Sequence, residues 1–201
     1  MITAEIIGLY DLALQIAEKT YQEISICELG NQITKIDKAR TSKNMLLKRG
    51  VKEHVSIDIN GKNGALPLDL SKQIFNWSDH FDISTNFGTI EHVAGGAYTA
   101  FENLHRWTKV GGVMIHVGPL AKWCSWHSPY HFETWFFYEF ARRCAYKHIF
   151  TDLRMSKEVG KRCRNQHPLD RAVVCSMMVK TSESKFLTND SFVDIHGIEG
   201  L

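Results

Sequence analysis

Apolar residues recur at spacings of three and four through Ile2, Ile6, Leu9, Ala13 and Ile16, the period of a helix that buries one face. The period then shortens. ISICE (24–28) alternates apolar and small residues and predicts a short strand. TSKNMLLKRG (41–50) predicts a helix with Thr41 or Ser42 as N-cap and Gly50 as its stop. HVSIDI (54–59), FDISTNF (81–87) and GGVMIHVG (111–118) predict three further strands, with a helix over 98–108 before the last. FETWFFYEFARRCA (132–145) predicts a helix whose Trp135, Phe136, Phe137 and Phe140 pack on a sheet. YKHIFTDLRM (146–155) and RAVVCSMMVKT (171–181) predict two closing strands, joined by a polar loop over 156–170. The stretch 60–74, with two glycines and a proline, predicts a turn or at most a short strand.

Strands alternating with helices imply a mainly parallel sheet, helices on both faces and right-handed crossovers. In such a sheet a ligand crevice lies beyond the carboxyl ends of the central strands. That directs attention to four exits: ELGNQ, DING, NFGT and HVGP. Length and charge narrow the rest. A chain of 201 residues suits one domain with a sizeable core. A net charge of +2, with KRCR (161–164) as the densest basic stretch, gives no reason for an obligatory nucleic-acid partner. The early acids Glu5 and Asp11 argue against a signal peptide, and no apolar run has the ~20 residues of a membrane helix. Five cysteines form no CxxC pair, and Cys27 and Cys175 sit in strand-like runs. This points to a reducing, cytoplasmic setting.

The ordered motifs CELGNQ, SIDING, LPLDLS, FDISTNFGTIEHV and NLHRWTKVGGVMIHVGP, closed by RAVVCSMMVKT, resemble those of class I S-adenosylmethionine-dependent methyltransferases over roughly residues 22 to 180. The resemblance implies a Rossmann-like three-layer α/β sandwich. Its mainly parallel sheet would have seven strands, the C-terminal one antiparallel, in a single domain over 1–201 with its core at about 22–181. It also implies S-adenosylmethionine as cofactor and S-adenosylhomocysteine as product. Gly30 would let the backbone approach the cofactor, and Glu28 would accept from the methionine ammonium. Asp58, with Ile59 beside it, would take the ribose hydroxyls. Asp69 would accept from the adenine amino group while Leu70 packs on the ring. Asn86, Phe87 and Gly88 would line the methionine side. Asn31 and Gln32 stand where the family usually has glycines, so Gln32 must either turn away from the cofactor or bond to it. Each acid also has a plain structural reading: Glu28 as partner of a loop amide, Asp58 as cap of a turn. The separation 58 − 28 = 30 residues exceeds the ~20 of dinucleotide folds, which makes ITKIDKART an enlarged loop.

Methyl transfer from a sulfonium needs alignment and exclusion of water, with a base only where the acceptor must lose a proton. His92 and His116 are the candidates for a base or for positioning the acceptor. The plain reading of His116 is a buried, hydrogen-bonded core histidine, and that of His92 a structural element beside the cofactor. Glu91, His127, Tyr130 and His131 are candidates for binding the acceptor, a small molecule or glycan methylated at oxygen or nitrogen. Cys124, His127 and His131 have a ligand-like spacing, but Pro129 interrupts it, and no metal is expected. Two alternatives remain. A nicotinamide oxidoreductase is disfavoured by the absence of GxGxxG. A non-catalytic cofactor-binding module or partner subunit is motivated by the glycine-poor first turn.

Overall fold

The structure is a computed structural model that describes residues 4–34, 36–121, 128–155, 172–183, 185–195 and 197–200. In chain order the elements are α1 (Ala4–Ala17), β1 (Ser25–Leu29), α2 (Ser42–Lys48), β2 (Glu53–Ile57), β3 (Phe81–Phe87), α3 (Ala97–Trp107), β4 (Thr108–Pro119), β5 (His131–Phe132), α4 (Thr134–Arg143), β6 (Tyr146–Met155), β7 (Ala172–Lys180), α5 (Asn189–Val193) and β8 (Ile198–Glu199). Every position of β1 and β3 is buried, which requires cover on both faces and puts these strands at the centre. The sheet order is β2-β1-β3-β4-β7-β6. The first four strands are parallel, and β7 runs antiparallel to both its neighbours.

This is six strands among the described residues, not the expected seven. The stretch 60–74 contributes only a single parallel bridge, Leu66 to Ile57. Gly61, Asn63 and Gly64 all have positive φ, so the chain turns too tightly there to run alongside β2. Pro67, just after the bridge, has no N–H to extend a ladder. The helix expected from residue 132 begins at Thr134, because Phe132 instead pairs with Ile198 in the small β5–β8 ribbon. Conversely, β4 starts directly after α3. The Thr108 hydroxyl bonds to Leu104 O at 2.6 Å and to Ser84 Oγ at 2.7 Å, ending the helix and joining the next strand to β3.

Strand alternation sends side chains to opposite faces, and each face carries its own core. Leu9, Tyr10 and Ala13 of α1 and Met45 and Leu46 of α2 cover Ile26, Ile83, Ile115 and Met177. Phe101 and Leu104 of α3 and Phe136 and Phe140 of α4 cover Leu29, Met114, Val174 and Met178. These two cores are the outer layers of the sandwich. At the amino ends of the parallel strands, Asp82 accepts from Lys19 at 2.6 Å, Lys109 at 3.0 Å and the Ser25 backbone at 2.9 Å. Burial alone would raise its pKa, but the bonds from Lys19, Ser25 and Lys109 prevail and hold the carboxyl well below the usual range. Among the described residues no helix is long and apolar enough to cross a membrane.

Candidate functional site

The four parallel exits are stitched into one row by short bonds. Gly30 leaves β1 at φ +85°, and its N–H donates to Ile57 O at the end of β2 (2.7 Å). The next amide, Asn31 N–H, donates to Asp58 Oδ2 at 2.8 Å. On the other side Gln32 Nε2 donates to Phe87 O at the end of β3 (2.8 Å), and Gly88 N–H donates to Val117 O of β4 (2.9 Å). Thr89 Oγ1 returns to Leu29 O at 2.9 Å. A Cβ on Gly30 would overlap Thr89 Oγ1 and approach Gln32 Nε2 to 2.9 Å, so glycine is required here by the turn's own packing. Gln32 is buried and spans the gap between the β1 and β3 exits.

Asp58 is half-buried, and its second oxygen accepts from Asn60 N–H at 3.0 Å. Each of its oxygens retains a further acceptor site. Ile59 beside it is 72% exposed. Asp69 uses Oδ1 on the Ser71 hydroxyl and amide at 2.7 and 2.9 Å, bonds that hold its carboxyl below the usual value. Leu70 is buried in the α3-side core, so of this pair only the acid faces solvent. Phe87 is buried in the opposite core, edge-on to Tyr10 at 5.7 Å.

Glu28 lies on the α1/α2 face and is fully buried. It accepts from Ser42 Oγ at 2.5 Å and Tyr10 OH at 3.3 Å, as well as from the Gln32 backbone. It therefore ties both helices to the first turn. Burial pushes its pKa up to about 8 against those hydrogen bonds. His54 Nε2 stands 3.9 Å away, and burial lowers that imidazole to about 3. Between those values both groups are uncharged, so this approach is not an ion pair. Ser42 is a partner of Glu28 that its capping motif concealed: Thr41 is the N-cap, accepting from Asn44 N–H, which frees the Ser42 hydroxyl for Glu28.

A second polar group lies on the other face. Asn86 and His116 are register partners on β3 and β4, and both are fully buried. His116 stacks on Phe137 at 5.4 Å and meets Phe101 at 5.2 Å. Burial takes its pKa down to about 3, which makes it a weak base. Glu91 follows Gly88 in a 3-10 turn, is 2% exposed, and is pushed by burial up to about 8. Tyr130, also buried, donates its N–H to Glu91 O at 3.2 Å. His131 is buried on β5, whereas His92 is exposed. The register thus sets Asn86 beside His116, and a backbone bond joins Glu91 to Tyr130. His127 and Cys124 lie outside the described residues.

These shifts set the pH dependence of folding. Glu28 and Glu91 are raised from 4.5 to about 8, so the stability tied to their protonation is full below 4.5 and lost as pH rises through 8. His54 and His116 are lowered from 6.5 to about 3, so their contribution grows from 3 to 6.5. The two effects oppose one another between 4.5 and 6.5 and leave a net fall from 6.5 to 8. Urea midpoints are expected to drop over that last interval, and Glu91→Gln is expected to flatten the drop. A midpoint that rises toward pH 8 would contradict the protonated burial of both carboxyls.

No family model and no curated protein sequence matches the chain. Solved structures do. The Burkholderia thailandensis 1,6-didemethyltoxoflavin-N1-methyltransferase, with bound 1,6-didemethyltoxoflavin and S-adenosylhomocysteine, matches at TM-score 0.58 and 9% identity, over 89% of this chain and 79% of that one. The N-methyltransferase NodS of Bradyrhizobium japonicum, in complex with S-adenosylhomocysteine, matches at 0.57 and 10%, over 90% and 89%. A TehB-like SAM-dependent methyltransferase of Corynebacterium glutamicum matches at 0.50 and 15%, over 88% and 97%. At these identities the likeness is one of fold. The chain has the Rossmann-like α/β fold of class I S-adenosylmethionine-dependent methyltransferases.

Proposed function

We propose that this protein is an S-adenosylmethionine-dependent methyltransferase acting on a small-molecule acceptor. The supporting observation is the continuous row in which Asp58, the Gly30–Gln32 turn and Asn86–Gly88 meet at adjacent exits of β2, β1 and β3. The row suits the cofactor best at its nucleoside end. Asp58 keeps acceptor sites for the ribose hydroxyls, exposed Ile59 offers an apolar face to adenine, and Asp69 Oδ2 can take the adenine amino group. The amino-acid end would seat against Gly88 and the outer side of the Gln32–Phe87 bond. Glu28 acts behind the turn, holding it in shape from the opposite face.

When bound, S-adenosylmethionine supplies a methyl group on a good leaving group. The chain's own task is to hold the acceptor within about 3–3.5 Å of that methyl and to keep water out. The neighbours crystallised with S-adenosylhomocysteine, one of them also with bound 1,6-didemethyltoxoflavin, support a small-molecule substrate here. Cys27, Cys144 and Cys175 are free buried thiols, which supports a reducing, cytoplasmic setting.

Asp58→Ala is expected to weaken S-adenosylmethionine binding by at least about tenfold, since a charge-assisted pair of bonds is worth ~1.5–3 kcal/mol. Isothermal calorimetry on folded wild type and variant checks this; absence of uptake by the folded wild type overturns the proposal. A second reading, a binding module without transfer, is favoured by the Gln32 and Thr89 bonds that bridge the turn. Tight binding with no S-adenosylhomocysteine release across an acceptor panel would select it.

A further inference from the structure

Asn86 Nδ2, Glu91 Oε2 and both ring nitrogens of His116 are buried polar atoms without a hydrogen-bond partner. Their orientation is not arbitrary. Asn86 Oδ1 accepts from Thr89 N–H at 3.1 Å and Ile90 N–H at 3.0 Å. A flipped amide would set its NH₂ against two donors, so Nδ2 must be the free end. The parallel register sets Asn86 beside His116 on the same face. Gly88 bonds to Val117, the residue after His116. Glu91 Oε1 lies 3.2 Å from where a Cβ of Gly88 would stand, which keeps its carboxyl over the same two strand ends. Phe101, Phe137 and Phe140 surround the imidazole. A buried polar group left unpaired is costly, and a ligand with complementary groups removes that cost.

We propose, building on the methyl-transfer reading, that Asn86, Glu91 and His116 form the acceptor subsite, that the acceptor is an amine, and that Glu91 takes its proton. An ammonium beside Glu91 stabilises its carboxylate, so that amine entry displaces the carboxyl proton to solvent and leaves Glu91 as an anion able to take a proton. Aromatic ring faces favour a cation as well. An anionic acceptor would instead face a buried carboxyl. The step balances. Glu91 Oε2 takes one proton from the ammonium and frees the nitrogen lone pair. That pair forms the new N–C bond as the methyl–sulfur bond breaks with its electrons remaining on sulfur, and the product leaves as the methylated ammonium. Glu91, pushed to about 8, matches this task. His116, lowered to about 3, stays neutral, with one nitrogen to donate and one to accept.

Calorimetric titration of benzylamine and of benzyl alcohol into wild type, Glu91→Gln and Glu91→Met tests the inference, with folding verified by circular dichroism. Saturable benzylamine binding is expected in the wild type, weaker by about tenfold or more in both variants, with benzyl alcohol bound less tightly and indifferent to the substitution. Equal benzylamine affinity in wild type and Glu91→Gln overturns it, as does absence of saturable benzylamine uptake or an alcohol bound as tightly as the amine. S-adenosylmethionine titrated separately into the wild type distinguishes the two proposals. If it fails to bind while the amine pattern holds, methyl transfer falls and the amine site stands.

Discussion

Phe101→Ala is expected to cost about 3–5 kcal/mol of unfolding free energy, the range for emptying a large aromatic site in a core. The ring is buried in α3 and lies 5.1 Å from Phe140, 5.6 Å from Phe192, 5.9 Å from Phe136 and 5.2 Å from His116. It therefore joins α3 to α4, α5 and β4 at once. Rings fixed from several sides cannot slump into the space left behind, which sets the cost near the top of the range. Tyr138→Ala on α4, where the side chain is 54% exposed, is the control and is expected to stay within about 0.5 kcal/mol. Urea unfolding of the two variants checks the contrast. Similar midpoints would mean that the aromatic cluster is not what holds the α3–α4 layer to the sheet.

Gly30→Ala is expected to cost about 2–4 kcal/mol and to weaken cofactor uptake as well. A left-handed backbone costs an L-residue about 1–2 kcal/mol. The new methyl also displaces Thr89 Oγ1 and Gln32 Nε2, endangering bonds worth about 1 kcal/mol each. Those bonds shape the turn, so stability and binding fall together. Gly8→Ala in α1 is the counterpart. A Cβ there meets nothing within 4 Å, and removing a helix glycine is expected to add up to about 1 kcal/mol. Thermal unfolding, with and without S-adenosylmethionine, reads both variants.

What the chain's pattern foretold follows from how each signal arises. The strands β1 and β3 were legible because apolar residues recur at alternate positions, Ile24 and Ile26 along one and Phe81, Ile83 and Phe87 along the other. The full burial of the polar residues between them was not. The helix through Leu9 and Ala13 was legible from its period. The seventh strand was not there to find, since glycines and Pro67 break the stretch where it would lie. The ribbon of β5 and β8 and the five-residue α5 were invisible because elements that short carry no period. At the site, the motifs located the exits but not the faces. Alternation says which residues share a side of a strand, and only packing says which helix layer that side meets. Thus the bonds of Glu28 to Ser42 of α2 and Tyr10 of α1 could not be read from its motif. Asn86 and His116, 116 − 86 = 30 residues apart, become neighbours only through the register of β3 on β4.

The placement of β7 also bears on synthesis. It is the last strand of the large sheet to be made, yet it lies between β4 and β6, with Ser176 opposite His116. A chain emerging from the ribosome can pair β2, β1, β3 and β4 in turn, but β6 has no strand to pair with until β7 arrives. Until then β4 is an open edge, with the imidazole on its border unprotected on one side. Domains built mainly of such distant pairings fold late and slowly. The nascent protein therefore completes the parallel half of its sheet before the antiparallel half, and a chain cut short before residue 172 would have the first without the second.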